Sequence, residues 1–354
     1  GSFLKINTKN MVPEFFQYWD SVKCMISAKS MQYSLENESE LINILHKQIR
    51  RSISQQTIAD VPLGCFLSGG VDSSLVTAVM QSISKEKVRT FSVGFEDPSF
   101  DESNYARKVS RHLGTDHQEC IFTSDDATKL IPKLGKYYDE PFADPSLLPT
   151  LFVSNLASND VKVCLTGDGA DEVFLGYRRY LQVQKLYNLY FFLHPAIRYS
   201  IRSLMTNVNN FYSSREKLTP RRVEKLIELT RSNTLIDFYE PFINHWSYPD
   251  QIINSKISSS ELVPQFSYNY DRFFTYINKS IGLENIDKAS IYDINAYLAD
   301  DILVKVDRAS MSYSLETRAP FLNHKLVEDA WRIPYNLKVN NGKQKYVLLK
   351  ILEN

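Results

Sequence analysis

The chain has 354 residues, enough for two domains or for one large domain with a sizeable insertion. Hydrophobic residues make up 43% of it, which allows a substantial core, and its 41 basic and 41 acidic residues cancel. The balanced charge, and the lack of an apolar run near the roughly 18 residues of a membrane helix, exclude nucleic acid and membranes as expected partners.

The first strongly periodic segment runs from Glu38 to Gln56, where apolar residues recur at steps of three and four. This spacing predicts an amphipathic helix. VPLGCFL (61–67) reads as a buried strand, and SSLVTAVMQSIS (73–84) has helical composition. The sequence SGG therefore lies between a strand and a helix.

Strand-like and helix-like segments continue to alternate along the chain. Strands are predicted at 87–95, 116–123 and 161–166, and helices at 101–114, 124–138 and 145–159. We expect the acidic residues of the 101–114 helix in its first turn, Gly114 as its C-terminal stop, and Ser124 as the next N-cap. This alternation predicts an α/β fold, with a parallel sheet covered on both faces. Residues 181–300 show helical periodicity without a clear strand, which predicts an all-α region.

The cysteines and histidines indicate neither a disulfide framework nor a metal site. Cys24, Cys65, Cys120 and Cys164 include no CxxC pair, and all but Cys24 lie in strand-like runs. The six histidines show no HxxxH or HxH spacing. No signal segment opens the sequence, so a cytoplasmic location is expected.

Two Gly-rich turns, LSGGVDSS and LTGDGADE, each follow a predicted strand and precede a helix. The carboxyl ends of parallel strands share one edge of a sheet, where ligands bind. Gly69 and Gly70 allow backbone N–H groups to approach an anion at a helix N-terminus, and the serines can donate hydrogen bonds to phosphate oxygens. A carboxylate such as Asp72 is a poor neighbour for phosphate unless a divalent cation lies between them. Asp72 and Asp171 are therefore candidate Mg²⁺ ligands. A plain turn remains the alternative, because the GxxxxGK[ST] and GxGxxG spacings are both missing.

SGGVDSS resembles the pyrophosphate loop of the N-type ATP pyrophosphatases. DEPFADPSLLPT (139–150), LTGDGADEVFLGYRRY (165–180) and YLADDILVKVDRASMSYSLETRAPFLNHKLVE (297–328) are similar to the C-terminal synthetase domain of glutamine-dependent asparagine synthetases and their relatives, such as β-lactam synthetase. The resemblance runs from Trp19 to the end of the chain and is weakest over 185–285. It implies a HUP-like α/β fold, in which helices flank a parallel sheet of about five strands, followed by a mostly helical C-terminal half.

The resemblance also implies a reaction, in which ATP and Mg²⁺ adenylate the side-chain carboxylate of aspartate. Pyrophosphate leaves, and ammonia then displaces AMP to give asparagine. The residues implied to contact the nucleotide are Phe66, Leu67, Ser68, Gly69, Gly70, Asp72, Ser73, Ser74, Val93, Thr166 and Gly167, with Asp72 and Asp171 on the metal. Asp168 is the implied catalytic residue. Many members carry a glutamate there, so the shorter side chain is a departure that bears on proton transfer.

Further residues are implied to shape the substrate cleft. Asp139, Glu140 and Asp144 would order the substrate pocket, and a second set would brace the cleft floor: Asp307, Arg308, Glu316 and Arg318. Glu316 with Arg318 are equally well explained as a structural buried ion pair, and the same ambiguity holds for Asp307 with Arg308. Phe66 and Val93 would be core residues whatever the function.

In the family a covalently linked glutaminase domain supplies the ammonia. We expect residues 1–36 to be the linker from that domain, 37–180 the α/β core, and 181–354 the truncated helical part of the synthetase domain. The family's catalytic lysine lies in an Arg-x-Lys-x-Gly-Phe segment downstream of residue 354, and Lys343 and Lys345 match the helix before it. These 354 residues alone are expected to bind ATP·Mg²⁺ weakly and to turn over poorly or not at all, and a homodimer is expected.

Two alternatives stay open at this point. One is a family amidotransferase or cyclase that acts on another carboxylate, such as a surface-polysaccharide sugar acid or a β-lactam-type precursor. The other is a non-catalytic nucleotide-binding module. The sequence of the aspartate pocket does not separate these readings.

Overall fold

A computed structural model describes residues 1–34, 37–142, 144–213, 221–243 and 275–353 of the chain. The chain divides into two compact units. The first unit combines Gly1–Ser30 with Tyr177–Asp293, and the second, here called the α/β unit, combines Met31–Gly176 with Ile294–Asn354.

The strands in the described ranges are β1 (Ser2–Ile6), β2 (Pro13–Gln17), β3 (Leu63–Phe66), β4 (Arg89–Phe95), β5 (Asp116–Phe122), β6 (Val163–Leu165), β7 (Glu316–Arg318), β8 (Val339–Asn340) and β9 (Lys343–Gln344). The helices include α1 (Ser21–Ser30), α2 (Glu38–Gln56), α3 (Val71–Ile83), α4 (Ser103–Leu113), α5 (Ser124–Leu130), α6 (Leu134–Tyr137), α7 (Leu147–Ser158), α8 (Ala170–Val173), α9 (Arg178–Phe192), α10 (Pro195–Ser213), α11 (Arg221–Arg231), α12 (Leu235–Tyr239), α13 (Asn285–Asn295), α14 (Leu303–Met311), α15 (His324–Trp331), α16 (Tyr335–Lys338) and α17 (Tyr346–Glu353).

The α/β unit is built on a five-stranded sheet with the order β5-β4-β3-β6-β7. Every neighbouring pair in it is parallel. The chain starts at the central strand β3, moves outward through β4 and β5, and then crosses to β6 and β7. The order reverses between β3 and β6, and such a switch point leaves a crevice beyond the carboxyl ends of the strands. The predicted fold class is confirmed.

Most elements of this unit were predicted to within two residues, because their apolar periodicity is strong. Helix α2 covers Glu38–Gln56 as expected, and Leu41, Leu45, Ile49 and Ile53 form its buried stripe. Strand β7 was not predicted, since three residues are too short to show a period. It pairs with β6 through the register Val163↔Glu316, which joins distant parts of the chain.

The segment 124–138 was predicted wrongly as one helix capped by Ser124. Thr123 is the N-cap, because its hydroxyl accepts the N–H of Asp126 at 3.2 Å while the Asp126 carboxylate accepts the N–H of Thr123 at 3.0 Å. The helix ends at Leu130, and Ile131–Lys133 form a 3₁₀ turn around Pro132, which has no N–H to continue an α-helix.

Helix α4 begins at Ser103, so the two acids expected in its first turn precede the helix instead. Asp101 acts there as a local acceptor, since its Oδ1 takes the N–H of Ser103 at 3.1 Å. Gly114 ends the helix with a φ of +71°, as predicted.

The core of the α/β unit lies against the sheet. Phe91, Cys164 and Leu315 are fully buried in one cluster with residues of α7. Cys65, Cys120 and Cys164 lie in strands as expected, and all four cysteines are free.

The first unit carries an antiparallel hairpin, β1–β2, that the sequence did not predict. Its helices are joined by a buried carboxylate, Asp293, whose Oδ2 accepts from Arg179, Tyr180 and Tyr239 at 2.6–2.7 Å. The predicted all-α character of 181–300 holds in the described parts of that range, and residues 214–220 and 244–274 lie outside them. Among the described helices, none is both long and apolar enough to cross a membrane.

Candidate nucleotide-binding site

The loop after β3 has a backbone that only glycine fits. Gly69 has a φ of +82°, and a Cβ there would lie 2.5 Å from the backbone nitrogen of Ala106. Gly70 is the N-cap of α3 and offers no side chain to the first N–H groups of that 13-residue helix. These groups and the helix dipole therefore favour an anion at the carboxyl edge of the sheet.

Serine hydroxyls gather around the same loop. Ser68 Oγ lies 3.0 Å from Ser73 Oγ and accepts the N–H of Gly70 at 3.3 Å. Ser74 Oγ is buried and has no hydrogen-bond partner. A buried hydroxyl without a partner is costly, and a phosphate oxygen would satisfy it.

The loop after β6 packs directly against the first loop. A Cβ on Gly167 would lie 3.0 Å from both Asp72 Cβ and the backbone nitrogen of Ser73. Thr166 is tied to the outer strand, because its N–H donates to the carbonyl of Arg318 at 2.8 Å. The expectation that both glycine turns share one edge of the sheet is confirmed.

Two aspartates, one from each loop region, converge on the ammonium of Lys345. Lys345 Nζ forms ion pairs with Asp72 and, at 2.7 Å, with Asp171. Gly176 makes room for this contact, since a Cβ there would overlap both Lys345 and Asp171. Lys345 has a φ of +53°, a strained conformation for a residue with a side chain that is commonest at functional sites.

Neighbouring contacts hold Lys345 in place. Gln344 donates to the carbonyl of Leu175 at 3.0 Å, and Lys338 donates to the carbonyl of Val173 at 3.2 Å. The sequence reasoning missed Lys345, because it lies 273 positions from Asp72 and no local spacing connects them. The motifs had matched Lys345 to a helix upstream of the family's catalytic lysine, and the structure places it directly before α17.

Burial and neighbouring charges together set the pKa values in this cluster. Burial raises the pKa of Asp72 to about 6, Asp171 and Asp168 add to the rise, and the Lys345 charge opposes it. Burial by itself would lower the pKa of Lys345, but Asp72 and Asp171 outweigh it and the pKa is raised. Lys345 is therefore a firmly charged ammonium between two carboxylates.

The same pair of aspartates fits a magnesium ion. Asp72 Oδ1 is buried without a hydrogen-bond partner, and both carboxylates already face one cation. Across the residues that the structure describes, no three His, Cys, Asp and Glu side chains form a metal site. Mg²⁺ needs only one or two carboxylates when phosphate oxygens and water complete its shell, so this donor set suffices.

Asp168 lies half-buried between the two Gly residues of the second loop. Its backbone N–H donates to Thr166 Oγ1 at 3.4 Å. Burial raises the pKa of the Asp168 carboxyl, while Thr166 and the charge of Lys305 partly offset that rise. A carboxylate with a raised pKa, close to the two Gly-rich loops, is suited to accept a proton.

Asp139, Glu140, Asp144 and Ser146 lie close to helix α14. Lys305 Nζ donates to Asp144 Oδ2 at 3.0 Å and to Ser146 Oγ at 2.7 Å, and this pair is buried. Asp139 and Glu140 are instead exposed, and each lies 3.8 Å from the Arg308 guanidinium. Of the three acids implied to order the substrate pocket, only Asp144 makes a buried contact.

Glu316 and Arg318 form a short ion pair, with Nε and Oε1 2.6 Å apart. The pair is not buried as a unit, since the Glu316 side chain is 54% exposed. Arg318 also donates to the carbonyls of Gln56 and Ile58 at 2.8–2.9 Å, which fastens β7 to the end of α2. These contacts favour the structural role. Asp307 is exposed.

Phe66 and Val93 pack against the core cluster of Phe91 and Cys164, as expected for them whatever the function. Leu67 is buried, and its N–H donates to the carbonyl of Phe91 at 2.9 Å. These residues form the sheet surface beneath the first loop.

The sheet, its switch point and the paired strand-end loops define an open α/β protein with an anion-directed site at the carboxyl edge. The sequence model of the family described as "Asparagine synthase" matches residues 45–354. Since that match covers most of the chain, the chain belongs to the asparagine synthase family, as its motifs predicted.

Curated relatives agree with this assignment. The chain is 30% identical over 316 residues to "Asparagine synthetase [glutamine-hydrolyzing] 1" of Bacillus subtilis, which covers 89% of this chain and 47% of that protein. It is 28% identical to a "Putative asparagine synthetase [glutamine-hydrolyzing]" of Mycobacterium tuberculosis, over 100% of this chain and 51% of that protein. A "Putative asparagine synthetase [glutamine-hydrolyzing] 2" of Methanocaldococcus jannaschii is 32% identical over 78% of the chain and 50% of the relative. The chain thus spans about half the length of these relatives.

Proposed function

We propose that this chain is the synthetase part of an ATP-dependent amide ligase that adenylates the side-chain carboxylate of aspartate and transfers ammonia from glutamine to give asparagine. The observation that carries the proposal is the meeting of Asp72, Asp171 and Lys345 beside the Gly-Ser loop at the switch point. A plain turn requires no such cluster. The printed names of the relatives support the choice of substrate and nitrogen donor.

The chemistry asks for stabilisation of charge that builds on pyrophosphate as it leaves. The N-terminus of α3, the hydroxyls of Ser68, Ser73 and Ser74, and the ammonium of Lys345 would bind those oxygens. Asp72 and Asp171 would hold Mg²⁺, which supplies neutralisation of the phosphate charge when bound. Phe66, Leu67, Val93, Thr166 and Gly167 would border the rest of the nucleotide.

Asp168 is the residue we propose for proton transfer. Its raised pKa suits it to take a proton from the ammonia nitrogen as the new amide bond forms. Its side chain is one methylene shorter than the glutamate that many family members carry. A covalently linked glutaminase domain, a cytoplasmic location and a homodimer stay predictions for the whole protein.

ATP–pyrophosphate exchange with the full-length protein tests the proposal. We expect exchange that requires aspartate and Mg²⁺, and little exchange with other carboxylic acids at the same concentration. Exchange that depends on a sugar acid or a β-amino acid instead would reassign the substrate within the family. Lack of exchange with every acid, in a protein that still binds ATP, would indicate a nucleotide-binding module.

A further inference from the structure

Helix α14 carries two cations on one face. Lys305 and Arg308 are three residues apart, so their side chains project from the same side of the helix. Both face acidic residues that precede α7, because Lys305 contacts Asp144 and Arg308 lies near Asp139 and Glu140. The two cations differ in how many of their hydrogen-bond donors have a protein partner.

Lys305 has a buried structural role. The residue is only 9% exposed, and its ammonium is held by Asp144 and Ser146. The carbonyl of Lys305 also accepts the hydroxyl of Tyr138 at 3.0 Å. These contacts fix α14 against the start of α7, and the Lys305 charge is close enough to Asp168 to favour its ionised form.

Arg308 has unused hydrogen-bonding capacity. Its Nη1 is buried and has no hydrogen-bond partner. Its neighbours Asp139 and Glu140 lie 3.8 Å away, beyond hydrogen-bond range, and their side chains are 96% and 66% exposed. Solvent-exposed pairs of this kind contribute little, so they do not account for a guanidinium that keeps one nitrogen buried.

A guanidinium suits a carboxylate, because its N–H groups form a planar fork that binds both oxygens. Residues three apart on a helix are separated by about 4.5 Å along its axis. Arg308 therefore lies within one turn of Lys305, whose charge acts on Asp168, and a short dicarboxylic amino acid can span such a separation.

We propose that Arg308 determines specificity in the site that binds the carboxylic acid substrate. Its guanidinium binds the substrate carboxylate that is not adenylated. The inference rests on the proposed function, since it assumes that a carboxylate is adenylated beside Asp168. It goes further by stating how the protein tells a dicarboxylic amino acid from a monocarboxylic one. Lys305, Asp144 and Ser146 act as positioning residues that hold Arg308 at the correct turn.

The test compares aspartate with β-alanine, which keeps the amino group and the activated carboxylate but lacks the second carboxylate. ATP–pyrophosphate exchange is measured with the full-length protein and its Arg308→Gln variant. Loss of a charged hydrogen-bonded contact should raise the KM for aspartate roughly 10- to 100-fold. The KM for ATP and the response to β-alanine should stay within about twofold of wild type, because neither involves the deleted contact.

Two further variants separate ligand binding from a structural role. Arg308→Lys keeps the charge and should recover part of the aspartate affinity. Arg111→Gln removes an exposed arginine of helix α4 that has no part in the candidate site, so the KM for aspartate should not rise. An unchanged KM for aspartate in Arg308→Gln, or an equal rise in Arg111→Gln, would overturn the assignment.

The failure of this inference differs from failure of the proposed function. If the wild-type protein exchanges with aspartate while Arg308→Gln keeps the same KM, only the role of Arg308 is lost. If the wild-type protein exchanges with no acid, both are overturned.

Discussion

At the scale of single residues, Lys345 is the feature on which the candidate site most depends. Replacing it with Met would leave Asp72 and Asp171 facing each other without their cation. We expect exchange in the full-length protein to fall by roughly 100-fold, the magnitude typical of a lost electrostatic contact to a developing charge.

The matched control for Lys345 is Lys343→Met, since Lys343 is exposed and only two residues away. That variant should keep wild-type exchange and ATP affinity. Equal activity of the wild-type protein and Lys345→Met would remove Lys345 from the site.

Gly69 provides a second prediction at the same scale. Alanine there must adopt a φ near +82° and meet the backbone of Ala106, so neither the turn nor its neighbour is free to adjust. We expect Gly69→Ala to lower the free energy of unfolding by about 1–3 kcal/mol and to weaken ATP binding measured by calorimetry.

Gly135→Ala is the companion variant, because no atom lies within 4 Å of the Cβ position there and Gly135 lies in helix α6. Its stability should be unchanged or slightly raised. If Gly69→Ala were as stable and as tightly binding as Gly135→Ala, the loop would not need its strained turn.

These residues also show where sequence reasoning ends. The positions of Gly69, Asp72 and Ser73 at a strand-to-helix turn were predictable, because one short stretch contains the strand end, the turn and the helix start. Lys345 and the buried nitrogen of Arg308 were not, because their roles depend on contacts with side chains more than 100 positions away.

At the scale of elements, the start of α5 gives a direct test of the capping chemistry. Thr123→Ala removes a hydroxyl that accepts the N–H of Asp126 and donates to its carboxylate. We expect a loss of about 1 kcal/mol in the free energy of unfolding, measured by urea denaturation. Ser124→Ala should change it by less than about 0.5 kcal/mol, since Ser124 is exposed. The reverse order would restore Ser124 as the cap.

Elements with a clear apolar pattern were predicted well, whereas the short strand β7 was not. Helix α2 repeats its apolar positions over five turns, strand β3 is a short apolar run, and strand β4 places Phe91, Val93 and Phe95 at every second position. Strand β7 is three residues long and is set by its register with β6 rather than by its own composition. Pro132 was visible in the sequence, but the helical pattern around it concealed the break that it causes.

At the scale of the whole molecule, the residues proposed for nucleotide, metal and acid all lie in the α/β unit. They come from three separated stretches, 66–93, 139–171 and 305–345, which the sheet and its flanking helices bring together. The site therefore forms only when β7 and α17 have packed against the central strands of the sheet. We expect ligand affinity and the folded structure of this unit to be lost together on denaturation.

The central claim is that a carboxylate attacks the α-phosphorus of ATP at this site. Aspartate carrying oxygen-18 in its side-chain carboxylate tests it most directly, with ATP, Mg²⁺ and glutamine supplied to the full-length protein. Adenylation leaves one labelled oxygen on the phosphorus, so mass spectrometry should detect a single oxygen-18 in AMP and none in pyrophosphate. Formation of ADP with the label in inorganic phosphate would contradict the account, because the acid would then have attacked the γ-phosphorus.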